Sequence, residues 1–156
     1  MISADPAILV ARPRHRTAAR AVSPPVRYQR DRHHYLVISA GLTWIMIMAA
    51  AELRTPTWTR AGAKLAFGNR ETLPPASPVA ARAALAAHNM LENMVLFVAL
   101  FAANLAVGTD PMPGAAIFTW ARIAYFPVYL AGIVYVRSAL WVVSLVGLGW
   151  MAWSAV

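Results

Sequence analysis

FTWARIAYFPVYLAGIVYV, residues 118–136, holds a single charge, Arg122, and is long enough to cross most of a bilayer. A guanidinium at hydrocarbon depth costs about 2.5–3.5 kcal/mol even on the gentler insertion scales, so Arg122 calls for a polar partner and marks a functional site by default. The natural partner is Glu92. It lies in a second apolar stretch, LAAHNMLENMVLFVALFAANLAV (85–107), with His88, Asn89 and Asn93 around it.

The rest of the chain shares this character. Of its 156 residues 60% are apolar and 13% charged, and the mean hydropathy is +0.53. A soluble domain carries about 25% charged residues; this chain has too few to wet its own surface. Four apolar stretches can be drawn, over 35–51, 79–107, 113–136 and 138–156. All reach or approach the roughly 17–25 residues of a spanning helix. They are unbroken rather than alternating, which favours helices over a barrel. The expected fold class is all-α, an integral membrane four-helix bundle.

Residues 1–34 hold seven arginines, several prolines and no apolar core, and read as a basic disordered tail rather than a cleaved leader. Such a tail can contact anionic lipid headgroups electrostatically, and a nucleic-acid arm is the rival reading, but its arginines are scattered among Ala, Ser and Pro, so no specific nucleic-acid partner is expected. The 52–82 loop carries Arg54, Arg60, Lys64, Arg70 and Arg82, whereas the turn AVGTDPMPGA has only Asp110. Positive-inside counting therefore puts the long loop in the cytoplasm, although the arginine-rich tail pulls the other way. The chain has no cysteine, so any thiol chemistry belongs to a substrate. The four histidines show no metal-ligand spacing beyond the adjacent His33 and His34.

Within the loop, Gly68-Asn69 is a turn signal and Pro74-Pro75 stops any earlier helix. Ser77 and Pro78 fit the cap and first position of the second membrane helix. Asn69, Arg70 and Glu71 can fold back on the membrane surface or provide ordinary interfacial polarity. Along the second stretch Arg82, Leu85, Asn89, Glu92 and Leu96 form one stripe, pointing to a bundle interior or a subunit interface. On the third, Arg122, Tyr125 and Tyr129 share a face. A Glu92–Arg122 pair would neutralise both ions and can equally serve only to tie helices together. Arg82 and Arg137 lie near membrane boundaries, where each can snorkel to lipid phosphate. Together with Arg122 they can instead form an electropositive cleft for a small anion gripped by guanidinium forks.

GNRE, then RAALAAHNMLENMVLF, then WARIAYFPVYLAGIVYVRSALW resemble the bacterial branch of the MAPEG family, the membrane-associated proteins of eicosanoid and glutathione metabolism. Asn89, Glu92 and Asn93 match its Asn-x-x-Glu-Asn core, and Ala121 and Arg122 through Tyr129 to Arg137-Ser138 match its second signature. The resemblance covers about residues 40–156 and implies a four-transmembrane-helix domain over 35–156. It further implies a left-handed bundle, a homotrimer in the bacterial inner membrane, and glutathione bound between subunits near the cytoplasmic side. It assigns glutathione binding, or support of it, to Arg82, Asn89, Glu92, Arg122, Tyr129 and Arg137, and places Arg137 with Ser138 near the thiol sulfur. Two departures touch the grip: Leu85 stands where many members have a second basic residue, and His88 replaces a variable, often basic, position.

The expected function is a membrane-bound glutathione-dependent transferase or peroxidase acting on a lipophilic electrophile that arrives from the bilayer. Arg137 is expected to stabilise the thiolate, with Ser138 or Tyr129 donating to sulfur. Each unit by which the thiol pKa falls is worth about 1.4 kcal/mol of preference for the ionised form. The competing class is a non-catalytic membrane protein that uses the same polar stripe for oligomerisation or small-molecule binding. Nothing in the sequence resembles a selectivity filter.

Overall fold

The computed structural model describes residues 33–69 and 73–156. Residues 1–32 of the tail, and Arg70 and Glu71 of the loop, lie outside the described residues. Within them the chain is an all-α bundle of five helices: α1 (His34–Arg54), α2 (Arg60–Phe67), α3 (Pro78–Val107), α4 (Met112–Ala131) and α5 (Val134–Ser154).

The ends follow local chemistry. Ser77 Oγ accepts from the Ala80 amide at 3.2 Å and Pro78 opens α3, as the sequence predicts. Gly108, at φ 79°, closes α3 in the left-handed region that glycine adopts without a Cβ clash. Gly132, at φ 78°, does the same for α4: its amide bonds to Tyr129 O at 3.0 Å, and the Ile133 amide bonds to Val128 O at 3.3 Å.

That second cap corrects the expected third stretch, which ran to residue 136. The chain turns at Gly132 and α5 begins at Val134, so Arg137 and Ser138 lie in the first turns of a helix rather than at a junction. Hydropathy cannot see this break, because the turn residues Gly132 and Ile133 are themselves apolar. The short α2 was not anticipated; Thr59 Oγ1 caps it by accepting from the Gly62 amide at 3.0 Å.

α1, α3 and α5 are each long and apolar enough to cross a membrane, and the protein is an integral multi-pass membrane protein. α4 has 20 residues but is not among the three, since Arg122, Tyr125, Pro127 and Tyr129 dilute its hydropathy. It packs most extensively on α5 and also touches α1 and α3. Gly114 and Gly147 make that crossing close. A Cβ on Gly147 would stand 2.7 Å from Gly114 O and 2.7 Å from Phe118 N.

Several polar groups inside the bundle are paired, across helices or with a neighbouring turn. Ser39 Oγ and Thr119 Oγ1 share a hydrogen bond of 2.8 Å. Asn104 Nδ2 donates to Met151 O at 2.8 Å, while Asn104 Oδ1 accepts from Thr109 Oγ1 at 2.8 Å. Large apolar side chains such as Trp44, Val95, Trp120 and Trp153 point outward. A water-soluble bundle would bury them; lipid or a neighbouring subunit makes exposure free of cost.

Candidate functional site

Among the described residues Arg122 is the largest fully buried side chain, at 0% exposure, in the middle of α4. Its Nη1 donates to Asn89 Oδ1 on α3 at 2.7 Å, and its guanidinium carbon stands 5.1 Å from the Tyr125 ring centroid and 5.4 Å from that of Phe118. Among the described residues its Nε and Nη2 have no acceptor. The cation is thus held by one amide oxygen and two aromatic faces, which stabilise it by charge–quadrupole attraction.

The expected Glu92–Arg122 pair does not form within the protomer. Glu92 Oε1 lies 3.3 Å from His88 Nε2, one turn earlier, with 61% of the Glu92 side chain exposed. The reason is rotational. The buried face of α3 is Ala83, Ala86, Ala87, Met90, Asn93, Phe97, Phe101 and Asn104, which turns Leu85, Glu92 and Leu96 outward. The polar stripe therefore splits. Asn89 is half-buried at the edge of the core and Glu92 lies on the outer surface. An interior Glu92 is excluded for the protomer.

Asn93 Nδ2 donates to Asn89 O at 2.7 Å and anchors that turn. Beside it opens a cleft of about 200 Å³ lined by Asn89, Tyr125, Tyr129, Arg137, Ser138 and Trp141. Arg137 stands over the Tyr129 ring at 4.7 Å, and Tyr129 meets Tyr125 edge-on at 5.3 Å. Ser138 Oγ donates to Val134 O at 3.0 Å, leaving its lone pairs to accept rather than its proton to give. Arg82 reaches the same end of the bundle, where its Nε donates to Leu130 O at 3.0 Å.

Of the residues singled out from the sequence, Asn89, Tyr129, Arg137 and Ser138 line one cleft. Arg122 stands behind Asn89 and is not in the lining, Arg82 caps α4, and Glu92 faces outward. Tyr125 and Trp141 line the cleft without having been named as site residues. Tyr125 shares the Arg122–Tyr129 face. Trp141 falls one helical turn after Arg137, a relation visible only once α5 is known to start at Val134.

Among the described residues the cleft wall carries one guanidinium, two phenols, an amide, a hydroxyl and an indole, with no carboxylate. Its electrostatics suit an anion or an acceptor-rich ligand. Compared with known families, residues 33–156 match the model of the MAPEG family. Among curated proteins and among solved structures, no match to the chain is found.

Proposed function

Because this chain belongs to the MAPEG family, whose work lies in membrane lipid metabolism and generally uses glutathione, we propose that it is a membrane-bound glutathione-dependent transferase or peroxidase acting on a lipophilic electrophile. In this reading α4 is a fourth span and the working unit is a homotrimer. The observation that carries it is the cleft: cationic and hydrogen-bonding groups gathered in an otherwise apolar bundle, with Arg137 over Tyr129 at its rim.

The residues fit glutathione, which has two carboxylates, one ammonium and a thiol. Arg82, Arg122 and Asn89 supply donors or positive potential for carboxylates, and the outward Glu92 supplies the acid an ammonium requires. A cleft of about 200 Å³ is smaller than the roughly 300–1,000 Å³ of ordinary ligand sites. One protomer thus holds part of the tripeptide. The outward α3 face bearing Leu85, Glu92 and Leu96 supports a second copy completing the site.

Bound glutathione supplies the nucleophile. In transfer its thiol proton goes to water, sulfur bonds to an electrophilic carbon, and the leaving group departs with its electron pair; in peroxide reduction two thiols become a disulfide as the peroxide becomes alcohol and water. Arg137 places positive charge beside the sulfur and so favours the ionised thiol. Tyr129, held under Arg137 and lining the cleft, offers its phenol as the donor to sulfur. Ser138, its proton engaged by Val134 O, orients the ligand as an acceptor. The exposed apolar flanks, including Val142 and Val146 on α5, give a lipophilic partner access from the bilayer.

The test is turnover by the full chain in lipid nanodiscs with glutathione and two probes, a chlorodinitrobenzene and an organic hydroperoxide. Saturable turnover of either, lost in Arg137→Ala, is expected. Saturable glutathione binding with no turnover of any electrophile class would overturn the enzyme and favour a binding protein.

A further inference from the structure

We propose that Arg122 acts as a positioning residue, locking the Asn89 side-chain amide so that its N–H groups, and never its oxygen, face the cleft. This rests on the glutathione reading of the cleft and names what the site asks of its ligand there: a hydrogen-bond acceptor, a carboxylate or carbonyl oxygen.

A guanidinium has five donors and no acceptor, so whichever Asn89 atom faces Arg122 Nη1 at 2.7 Å must be the oxygen. A free asparagine can rotate its amide by half a turn and offer either end. Asn89 cannot, because rotation would set its NH2 against a donor that is fully buried and cannot turn to water. The helix holds the other degrees of freedom: Asn93 Nδ2 donates to Asn89 O at 2.7 Å and fixes the turn that carries the side chain. Among the described residues no group is bonded to Asn89 Nδ2, and Asn89 lines the cleft. Arg122 does not line it. Its two unpartnered donors, Nε and Nη2, are sealed behind the wall, so its charge reaches the ligand only as a field through the amide dipole. That field and the Asn89 dipole point the same way, and both favour an anion.

The experiment is glutathione binding by calorimetry on the full chain in nanodiscs, with Asn89→Asp, Asn89→Ala, Arg122→Gln and the double variant N89A/R122Q. N89D keeps an oxygen for Arg122, so assembly and thermal stability are expected to hold or rise. It also turns the cleft-facing donor into an acceptor, and affinity is expected to fall about 10- to 100-fold. R122Q frees the amide and is expected to weaken binding about tenfold in the Asn89 background and by less than about twofold in the N89A background. Arg122→Lys, a donor-only side chain, is expected to recover most of that loss. Equal losses from R122Q in both backgrounds would show that Arg122 grips the ligand itself and overturn the lock. So would wild-type affinity in N89D. The thermal-stability cycle of the same four proteins without ligand reads the Arg122–Asn89 coupling separately. Coupling in that cycle with no glutathione bound by the wild type supports the lock and overturns the glutathione reading; its absence overturns the lock.

Discussion

Arg82 on the second turn of α3 donates from Nε to the carbonyl of Leu130, in the last turn of α4, at 3.0 Å. Gly132 ends α4 beside it, and a Cβ at Gly132 would lie 3.6 Å from the Arg82 guanidinium carbon. The last carbonyls of a helix lack intrahelical donors and carry its negative dipole end, so a cation there satisfies both. The contact ties the start of α3 to the turn that launches α5 and brings Arg137 to the same end of the bundle.

Arg82→Ala is expected to lower stability by about 1–2 kcal/mol, the sum of a charged hydrogen bond and a helix-end charge. Thermal unfolding of the purified protein in one detergent measures it. Arg82→Lys keeps the charge but not the Nε geometry and should recover part of the loss. An unchanged midpoint in R82A would make the contact incidental.

Gly147→Ala is expected to destabilise by about 1–3 kcal/mol through overpacking. The added Cβ meets Gly114 O and Phe118 N, both backbone atoms that cannot swing aside. Gly149→Ala is the matched control. A Cβ there meets nothing within 4 Å, so it should be neutral or stabilising by up to about 1 kcal/mol from helix propensity. Equal behaviour of the two variants in thermal unfolding would contradict the close α4–α5 crossing.

Glu92→Gln is expected to leave the folding of the protomer unchanged and to show no stability coupling with Arg122→Gln in a double-mutant cycle. Removing one partner of a buried ion pair costs about 3–5 kcal/mol, whereas Glu92 is exposed and paired with His88. A loss of that size together with strong coupling would restore the direct pair.

Arg137→Ala is expected to reduce turnover about 100-fold, the scale of one lost electrostatic contact to developing charge, while glutathione affinity changes by a smaller factor. Tyr129→Phe keeps the ring under the guanidinium and removes only the phenol. It should lower turnover and leave thermal stability unchanged; a large stability loss would mark Tyr129 as a packing residue.

Much of this architecture was legible in the residues. Ser77 and Pro78 announced the start of α3, because a cap is local chemistry. The break at Gly132 carried an equally local signal, yet it was hidden inside a run of apolar residues, where hydropathy has no contrast. The candidate site was half legible. Arg122 was marked by its cost in lipid and Tyr129 by its spacing from Arg122 on one face, whereas Arg137 was marked by its place at a membrane boundary and Ser138 only by the family resemblance. The partner of Arg122 was not, because Asn89 and Glu92 lie three residues apart on one stripe. Which of them turns inward depends on how α3 is rotated against α1 and α4, set by Ala86, Met90 and Phe97. Charge pairing alone favoured Glu92; packing chose Asn89.

The most direct test of the claim that this cleft holds glutathione as a thiolate is difference ultraviolet absorbance on titrating glutathione into the assembled protein in nanodiscs. A saturable thiolate band is expected in the wild type, with the band lost and calorimetric binding retained in Arg137→Ala. An intact assembly that takes up no glutathione, or an R137A protein with an undiminished band, would contradict it.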